Sequence, residues 1–305
     1  VPRTRPASAS RPLDLHRLGQ FLSVAEHSGF SNAAAQLHIS QQALSTSVRQ
    51  LERHLGVTLF DRSARHVTLT AAGEVLAQGA RTLLAAAQAL ERQTRDAAAH
   101  HPRPFVIGHT PAITAEEVFD LIEPACRARP DVSFTAQQLF PDALSTALYE
   151  GTIDLALRRG VVTPPDLSAA VIAYHPLRLA VSVRHRLAHR KRIDIGELRD
   201  EKMVVWAPPG SSFYTDFIVS TCRRRGFEPD IVVNRVQGTP PVTAVVDSDN
   251  IAFVTAPPGA TLGGRVNVIE LKDPPLVPIQ ALWLPHNVSA VRNLITRGRA
   301  RSGRS

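Results

Sequence analysis

Residues 30–70 read FSNAAAQLHISQQALSTSVRQLERHLGVTLFDRSARHVTLT, and the fold of the N-terminal part follows from this stretch. A first short helix is expected to open at Ser31, whose hydroxyl suits an N-cap, with Ala33, Ala34 and Leu37 on one apolar face. His38 and Ile39 form a turn, and Ser40 offers a second N-cap. Leu44, Val48, Leu51 and Leu55 then recur at helical spacing, so a second helix buries that stripe. Its opposite face carries Gln41, Gln42, Ser45, Thr46 and Arg49. In a helix-turn-helix the start of the second helix enters the major groove, where Gln pairs with adenine and Arg with guanine through two bonds each. Ser45 and Thr46 are less specific readers. Ser31 and Ser40 join this DNA-facing set through their positions at the helix starts.

The segment from Leu13 to Leu90 resembles the N-terminal domain of LysR-type transcriptional regulators. The resemblance is carried in order by Phe21, Ala25, Ala33-Ala34, Leu37, Ser40-Gln41, Ala43-Leu44-Ser45, Leu51-Glu52, Leu55-Gly56, Leu59-Phe60, Arg62, Leu69-Thr70 and Gly73. Where the family usually has Pro, this chain has Gln42, which bears on base preference rather than on fold. Leu59-Phe60 and Val67 to Leu69 supply strand-like pairs around Asp61 to His66, as in a winged hairpin. Arg62 and Arg65 in that wing are assigned to phosphates or a minor groove. Arg53 serves either a phosphate or a nearby carboxylate. The plain alternative is a small helical bundle with a polar outer face, which would not explain so many landmarks in sequence.

Thr70 is placed to cap a further helix, along which Leu76, Ala80, Leu83, Ala87 and Leu90 repeat as a heptad seam. The seam packs either on its own chain or on a second copy, and the resemblance implies a homodimer. Two-fold symmetry suits an inverted-repeat operator in double-stranded DNA. The net charge of +8 over 305 residues favours a polyanionic partner, without separating DNA from an acidic membrane surface. No apolar run is long enough for a membrane helix and no signal-peptide core stands at the start, so a cytoplasmic protein without a membrane partner is expected. Residues 1–12 form a Pro/Ser/Arg-rich arm expected to be flexible, 13–69 the winged helix-turn-helix, 70–97 the linker helix, and 98–104, with two prolines, a hinge.

From Phe105 onward short apolar strands alternate with helices, implying an α/β domain over 105–305. Strands are expected at Phe105 to Gly108, Val132 to Gln138, Asp154 to Leu157, Leu177 to Val183, Met203 to Ala207, Asp230 to Val236, Ile251 to Thr255 and Ala281 to Leu284. The resemblance implies two Rossmann-like lobes, as in periplasmic binding proteins, placed at 105–162 with 266–305 and at 163–265. A small molecule would sit between them, at strand ends and helix N-termini. Thr110-Pro111 is expected to open a helix, and Pro208-Pro209-Gly210-Ser211-Ser212 precedes another. Two electropositive helix ends and Arg158 favour a carboxylate, with Arg158 against Arg159 left open. By resemblance, Thr110, Pro111, Ala112, Ile113, Arg158, Gly210, Ser211, Ser212, Gln237, Gly238, Thr239 and Thr255 fall in the loops of the effector cleft. Asp247 to Asn250 stands where the family commonly has a glycine turn; Asp and Asn tolerate the same backbone.

Enzyme motifs are missing: the chain has no Gly-x-Ser-x-Gly elbow, His-Glu-x-x-His helix or P-loop, and its histidines lack metal spacing. No cofactor or metal is expected, and Cys126 and Cys222 read as packed, reduced thiols. The expected function is effector-controlled transcription regulation, with a homotetramer on an extended operator implied by the resemblance and RNA polymerase as a further partner. Two alternatives remain: a DNA-binding repressor or architectural protein whose second half only oligomerises, and a solute-binding or catalytic α/β protein with an incidental basic head.

Overall fold

The computed structural model describes residues 12–27, 29–61, 67–98, 103–236, 238–285 and 287–297. The N-terminal arm over residues 1–11, the wing arginines Arg62 and Arg65, most of the hinge and Gln237 lie outside the described residues. The chain divides into two compact units between Arg95 and Asp96.

The first unit holds α1 (Leu15–Glu26), α2 (Phe30–Gln36), α3 (Gln41–Leu55), the two-stranded antiparallel pair β1 (Phe60–Asp61) and β2 (Thr68–Leu69), and most of α4 (Ala71–Ala98). Asp14 caps α1 by accepting the His16 and Arg17 amides. The core joins Leu18 and Phe21 of α1 to Ala33 and Ala34 of α2, Leu44, Val48 and Leu51 of α3, and Leu59 and Phe60. Helix α2 starts at Phe30 with Gly29 as its N-cap, one residue earlier than expected, so Ser31 is not the cap. Phe30 is the reason: its ring is buried 5.6 Å from that of Phe60, and Gly29 takes a φ of 151° that a side chain would oppose. Leu37 and Leu55, expected on the apolar stripes, are each 37% exposed. Both end their helices, Leu37 as the α2 C-cap and Leu55 before the left-handed Gly56. Ser40 caps α3 as expected, its hydroxyl accepting the Ala43 N–H, and Thr70 accepts the Gly73 N–H while donating to the Thr58 carbonyl.

In the second unit the strands and helices follow in order: β3 (Phe105–His109), α5 (Ala115–Ala128), β4 (Phe134–Gln138), α6 (Pro141–Tyr149), β5 (Leu155–Arg159), β6 (Ser168–Pro176), β7 (Arg178–Ser182), β8 (Arg192–Ile193), β9 (Lys202–Val205), α7 (Phe213–Arg224), β10 (Asp230–Val233), β11 (Ile251–Val254), β12 (Gly259–Thr261), β13 (Val266–Leu271), β14 (Leu276–Trp283) and α8 (Ala290–Arg297). A five-stranded sheet runs β4-β3-β5-β14-β6, and a seven-stranded sheet runs β10-β9-β11-β7-β13-β12 with β8 beside β13. Parallel pairing joins β3 to β4 and β5 in one lobe, and in the other joins β9 to β10 and β11 and the short β8 to β13. The chain passes between lobes at Leu177, after β6, and again over residues 272–275, between β13 and β14. The lobe limits expected at 162/163 and 265/266 are therefore displaced. Residues 168–176 pair with β14 in the first lobe, and 266–271 pair with β7 in the second. Strand β6 is rich in alanine, a weak strand former; its pairing with β14 from Ser168 to Pro176 is what holds it extended. Helix α5 begins at Ala115 with Thr114 as its cap, so Thr110-Pro111 does not open it. Asp247 adopts a φ of 51°, the left-handed turn anticipated there without glycine.

Gly73 fixes how α4 leaves the hairpin. A Cβ built there would lie 2.2 Å from the Leu59 carbonyl oxygen, a backbone atom that cannot swing away, whereas one at Gly79 on the same helix meets nothing within 4 Å. Gly73→Ala is expected to destabilise the head by roughly 1–3 kcal/mol, while Gly79→Ala should be neutral or stabilising by up to about 1 kcal/mol. Urea unfolding followed by circular dichroism separates the two; equal effects would show that the close approach at Gly73 is not a constraint.

Candidate functional site

Two regions carry uncommitted polar chemistry. On α3 the residues Gln41, Gln42, Thr46, Arg49 and Arg53 are exposed and Ser45 is half-buried, on the face opposite the buried Leu44, Val48 and Leu51. Ser40 spends its hydroxyl on the cap, and Thr46 donates to the Gln42 carbonyl at 2.8 Å. Ser31 donates to Gln41 Oε1 at 3.3 Å, so α2 helps to orient that glutamine. Thr46, Arg49 and Arg53 border a shallow depression with Gly56, Val57 and Thr58. Among the described residues no ion pair engages Arg49 or Arg53. Glu52, lying between them in sequence, instead accepts the Leu59 N–H.

In the second unit a cavity of about 640 Å³ lies between the lobes. The first lobe contributes the turn after β3, the start of α6 and the end of β5 with the following Gly160 to Val162; the second contributes Trp206, Ala207 and the start of α7. Of the residues anticipated, Thr110, Pro111, Ala112, Arg158, Ser211 and Ser212 line it. Ile113 is instead 1% exposed in the first lobe's core. Gly210 gives its N–H to Asp216, the Gly238 carbonyl accepts from Gln138, and Thr239 bonds Thr243; none of these three lines the cavity. Phe140, Trp206 and Tyr214 were not anticipated. Trp206 follows the last residue of β9, two positions before Pro208, so its place at a strand end was the available signal.

The two arginines divide their work. Arg158, half-buried, donates to Gln280 Oε1 at 3.0 Å and to the Val162 carbonyl. Arg159 has only 1% of its side chain exposed. Its Nε donates to the Ala112 carbonyl at 3.2 Å, and one terminal nitrogen donates both to Glu117 Oε1 at 2.6 Å and to the Thr255 hydroxyl at 2.9 Å. Thr255, anticipated in the cleft, does not line the cavity but links the second lobe to Arg159. The other terminal nitrogen, Nη1, is buried without a hydrogen-bond partner, as is the hydroxyl of Thr110, and both residues line the cavity.

Glu117 is positioned by the helix it starts. Its carboxylate accepts the Thr114 N–H while its own N–H donates to the Thr114 hydroxyl, a reciprocal capping box. His175 of β6 donates from Nδ1 to the same carboxylate oxygen as Arg159. Burial pushes this carboxyl up, but the bond from His175, the Arg159 charge and the Thr114 amide together outweigh it and hold the pKa at about 2. Elsewhere, Cys126 is half-buried on α5 and Cys222 is buried on α7, where burial pushes its thiol up to about 12. That protonated thiol is a poor nucleophile.

Residues 15–74 match the model for the bacterial regulatory helix-turn-helix protein of the lysR family, and residues 98–301 match the LysR substrate binding domain. The chain belongs to the LysR family. It is a DNA-binding transcriptional regulator with a substrate-binding domain, not an enzyme. It is 31% identical over 222 residues to the HTH-type transcriptional regulator AlsR of Bacillus subtilis, covering 72% of this chain and 73% of AlsR. It is 33% identical over 223 residues to the regulator YnfL of Escherichia coli, covering 72% and 74%. Among solved structures, a full-length OxyR variant from Pseudomonas aeruginosa has a TM-score of 0.56 at 20% identity, covering 90% of each chain. Full-length CbnR in complex with its target DNA also reaches 0.56, at 21% identity, covering 94% of this chain and 99% of CbnR. These likenesses establish the fold. In this regulator no described helix is long and apolar enough to cross a membrane.

The Glu117 pKa makes a signed prediction. With the folded pKa at about 2 against 4.5 ordinarily, the carboxylate's contribution is present above about pH 4.5 and is lost as the pH falls towards 2. Glu117→Gln should therefore destabilise the second unit by roughly 3 kcal/mol at pH 7, with the gap to wild type narrowing below pH 4.5. Urea midpoints measured across pH 7 to 3 test this, and a gap independent of pH would remove the ionised pair from the account.

Proposed function

We propose that this regulator is controlled by a small anionic effector bound between the two lobes, and that it acts as a homodimer joined through α4. The observation that carries the effector reading is the cavity's composition: its walls come from both lobes, so an occupant that prefers one spacing of the lobes biases their equilibrium. The anionic preference rests on Arg158, Arg159 and the start of α7, whose cap Ser212 makes no side-chain hydrogen bond to the first turn. The dimer reading rests on the seam. Ala80 is buried in the head's own core and Leu76 packs against it, while Leu83 is 48% exposed and Leu90 65% exposed. The upper seam serves the head, and the lower leucines suit a second copy of the helix. Two such dimers would form the tetramer that an extended operator accommodates.

On DNA, the exposed start of α3 is assigned to the major groove, with Gln42, Ser45 and Arg49 reading bases and Arg53, Arg62 and Arg65 meeting phosphates. RNA polymerase is a further partner where the bound protein activates, and the cytoplasm is the expected location.

A nuclease footprint of the full chain on the DNA upstream of its own gene is the test. Protection of an inverted repeat that changes extent with a bound metabolite supports the reading. Protection that no metabolite alters favours a repressor or architectural protein whose second unit only oligomerises. Within the protected site, Gln42→Ala should relax preference at one base pair by about 1–3 kcal/mol, whereas Arg62→Ala should weaken specific and random DNA alike and lower the salt dependence by about one counterion. Binding titrations over a salt series distinguish the two, and uniform weakening by Gln42→Ala would move it to the backbone contacts.

A further inference from the structure

We propose that the cavity takes a compact aromatic or similarly planar monocarboxylate, whose carboxylate is received by Arg159 Nη1 and the Thr110 hydroxyl and whose apolar body lies against Trp206 and Phe140. This names the ligand class of the site and rests on the effector reading above.

Three observations converge on it. The first is the pair of orphaned donors. Arg159 and Thr110 are both more than nine-tenths buried and both line the cavity, and each holds a polar atom without a partner. A buried donor left unmade costs about 1–3 kcal/mol, and more when it is charged. Arg159 cannot turn to relieve it, because Ala112, Glu117 and Thr255 already fix the other two nitrogens of the guanidinium. An acceptor arriving from the cavity satisfies both groups without displacing any existing bond. Arg158 is the less suitable anchor, since its Nε is held by Gln280 and a terminal nitrogen by the Val162 carbonyl.

The second is charge. Arg158 and Arg159 both line the cavity; Arg159 is paired with Glu117, which is ionised throughout the neutral range, while Arg158 has no carboxylate partner among the described residues. One positive charge is left over. The cavity's remaining ionisable lining group is Asp142, exposed in the first turn of α6. One ligand carboxylate balances that surplus, whereas a second anionic group would exceed it and be repelled by the Asp142 carboxylate, so the balance suits a single negative charge.

The third is the apolar remainder. Phe140 and Val161 are each 52% exposed and Val162 is 71% exposed, all on the cavity lining. Trp206 packs on the second lobe's cores from one side and lines the cavity from another. Tyr214 spends its hydroxyl on the Phe253 carbonyl, so only its ring is offered. A sugar or a short dicarboxylate would leave these surfaces wet or bury its own polar groups against them, whereas a flat apolar body covers them and gains from the aromatic faces.

The experiment is calorimetric titration of the full chain with benzoate, phenylacetate and cinnamate, against their amides, phthalate, succinate and inorganic sulfate. At least one of the three acids is expected to bind once per chain, with its amide and the dianions weaker by about tenfold or more. Thr110→Val supplies the second arm. Its hydroxyl has no partner in the free protein, so the variant should keep or raise the melting temperature while losing about tenfold in affinity for the same acid. A purely structural role would instead lower the melting temperature. The ligand class is overturned if none of the three acids binds, if the amides bind as well as the acids, if succinate or sulfate binds more tightly, or if Thr110→Val leaves affinity unchanged. Footprints taken with each compound keep the two readings apart: a response to succinate or sulfate alone retains effector control and sinks the aromatic class, while a footprint that no bound compound alters counts against effector control itself.

Discussion

A guanidinium with 1% of its side chain exposed has to be neutralised and hydrogen-bonded on the spot, and in this protein Arg159 is that group. Its partner, Glu117, sits in the first turn of α5, so the helix must begin where Glu117 faces the end of β5. That requirement accounts for the helix start at Ala115 instead of Pro111 and for the turn at residues 110–113, whose Ala112 carbonyl receives Arg159 Nε. Exposed pairs such as Arg95–Glu91 and Arg127–Glu123 contribute about 0–1 kcal/mol. Breaking a buried pair by removing one partner costs about 3–5 kcal/mol, so the architecture around Arg159 is far less free to drift than the helical surface.

The same group is tied both to the strand that leads to the first lobe crossing and to the second lobe. His175 belongs to β6, the strand that leads to the first crossing at Leu177. Thr255 follows β11 in the second lobe, and its carbonyl, with that of Ala256, accepts Arg178 at the start of β7. The Arg178 contacts lie within the second lobe, so a change in lobe spacing must alter the Arg159–Thr255 bond. On the proposed reading, an anion settling on Arg159 would bear directly on this bond between the lobes.

How far these relations can be read in the sequence depends on what each signal measures. The head is legible because its helices are amphipathic and solvent lies on one side: Leu44, Val48 and Leu51 recur at helical spacing and are buried as expected. The start of α2 differs from expectation because the requirement to bury Phe30 against Phe60 is tertiary, and a serine at the right place looks like a cap. In the second unit β6 escapes the sequence pattern because an alanine-rich strand ending in proline carries little propensity, and its extension is imposed by β14. Arg158 and Arg159 cannot be separated in sequence for a geometric reason. Both side chains reach the cavity from the end of the strand, and nothing local says which of the two the fold pairs with a buried carboxylate. Glu117 and His175 are unreadable for the same cause, being brought to Arg159 from 42 and 16 residues away in sequence.

The two regions of the molecule also differ in what an uncommitted polar group signifies. On α3 the side chains of Gln42, Arg49 and Arg53 are exposed, so water satisfies them in the free protein, and the DNA contacts proposed for them would exchange one set of hydrogen bonds for another. Such groups give specificity through geometry, and their net contribution is modest. At the cavity floor water is excluded from Arg159 Nη1 and the Thr110 hydroxyl, so the unmade bonds are a standing cost in the free state that a correctly shaped acceptor removes. Binding there is favoured by relief of that cost as well as by the bonds formed. A ligand that meets Arg159 also meets the group that ties the lobes together, so the free energy of recognition is available at the hinge, where it can shift the balance between lobe arrangements.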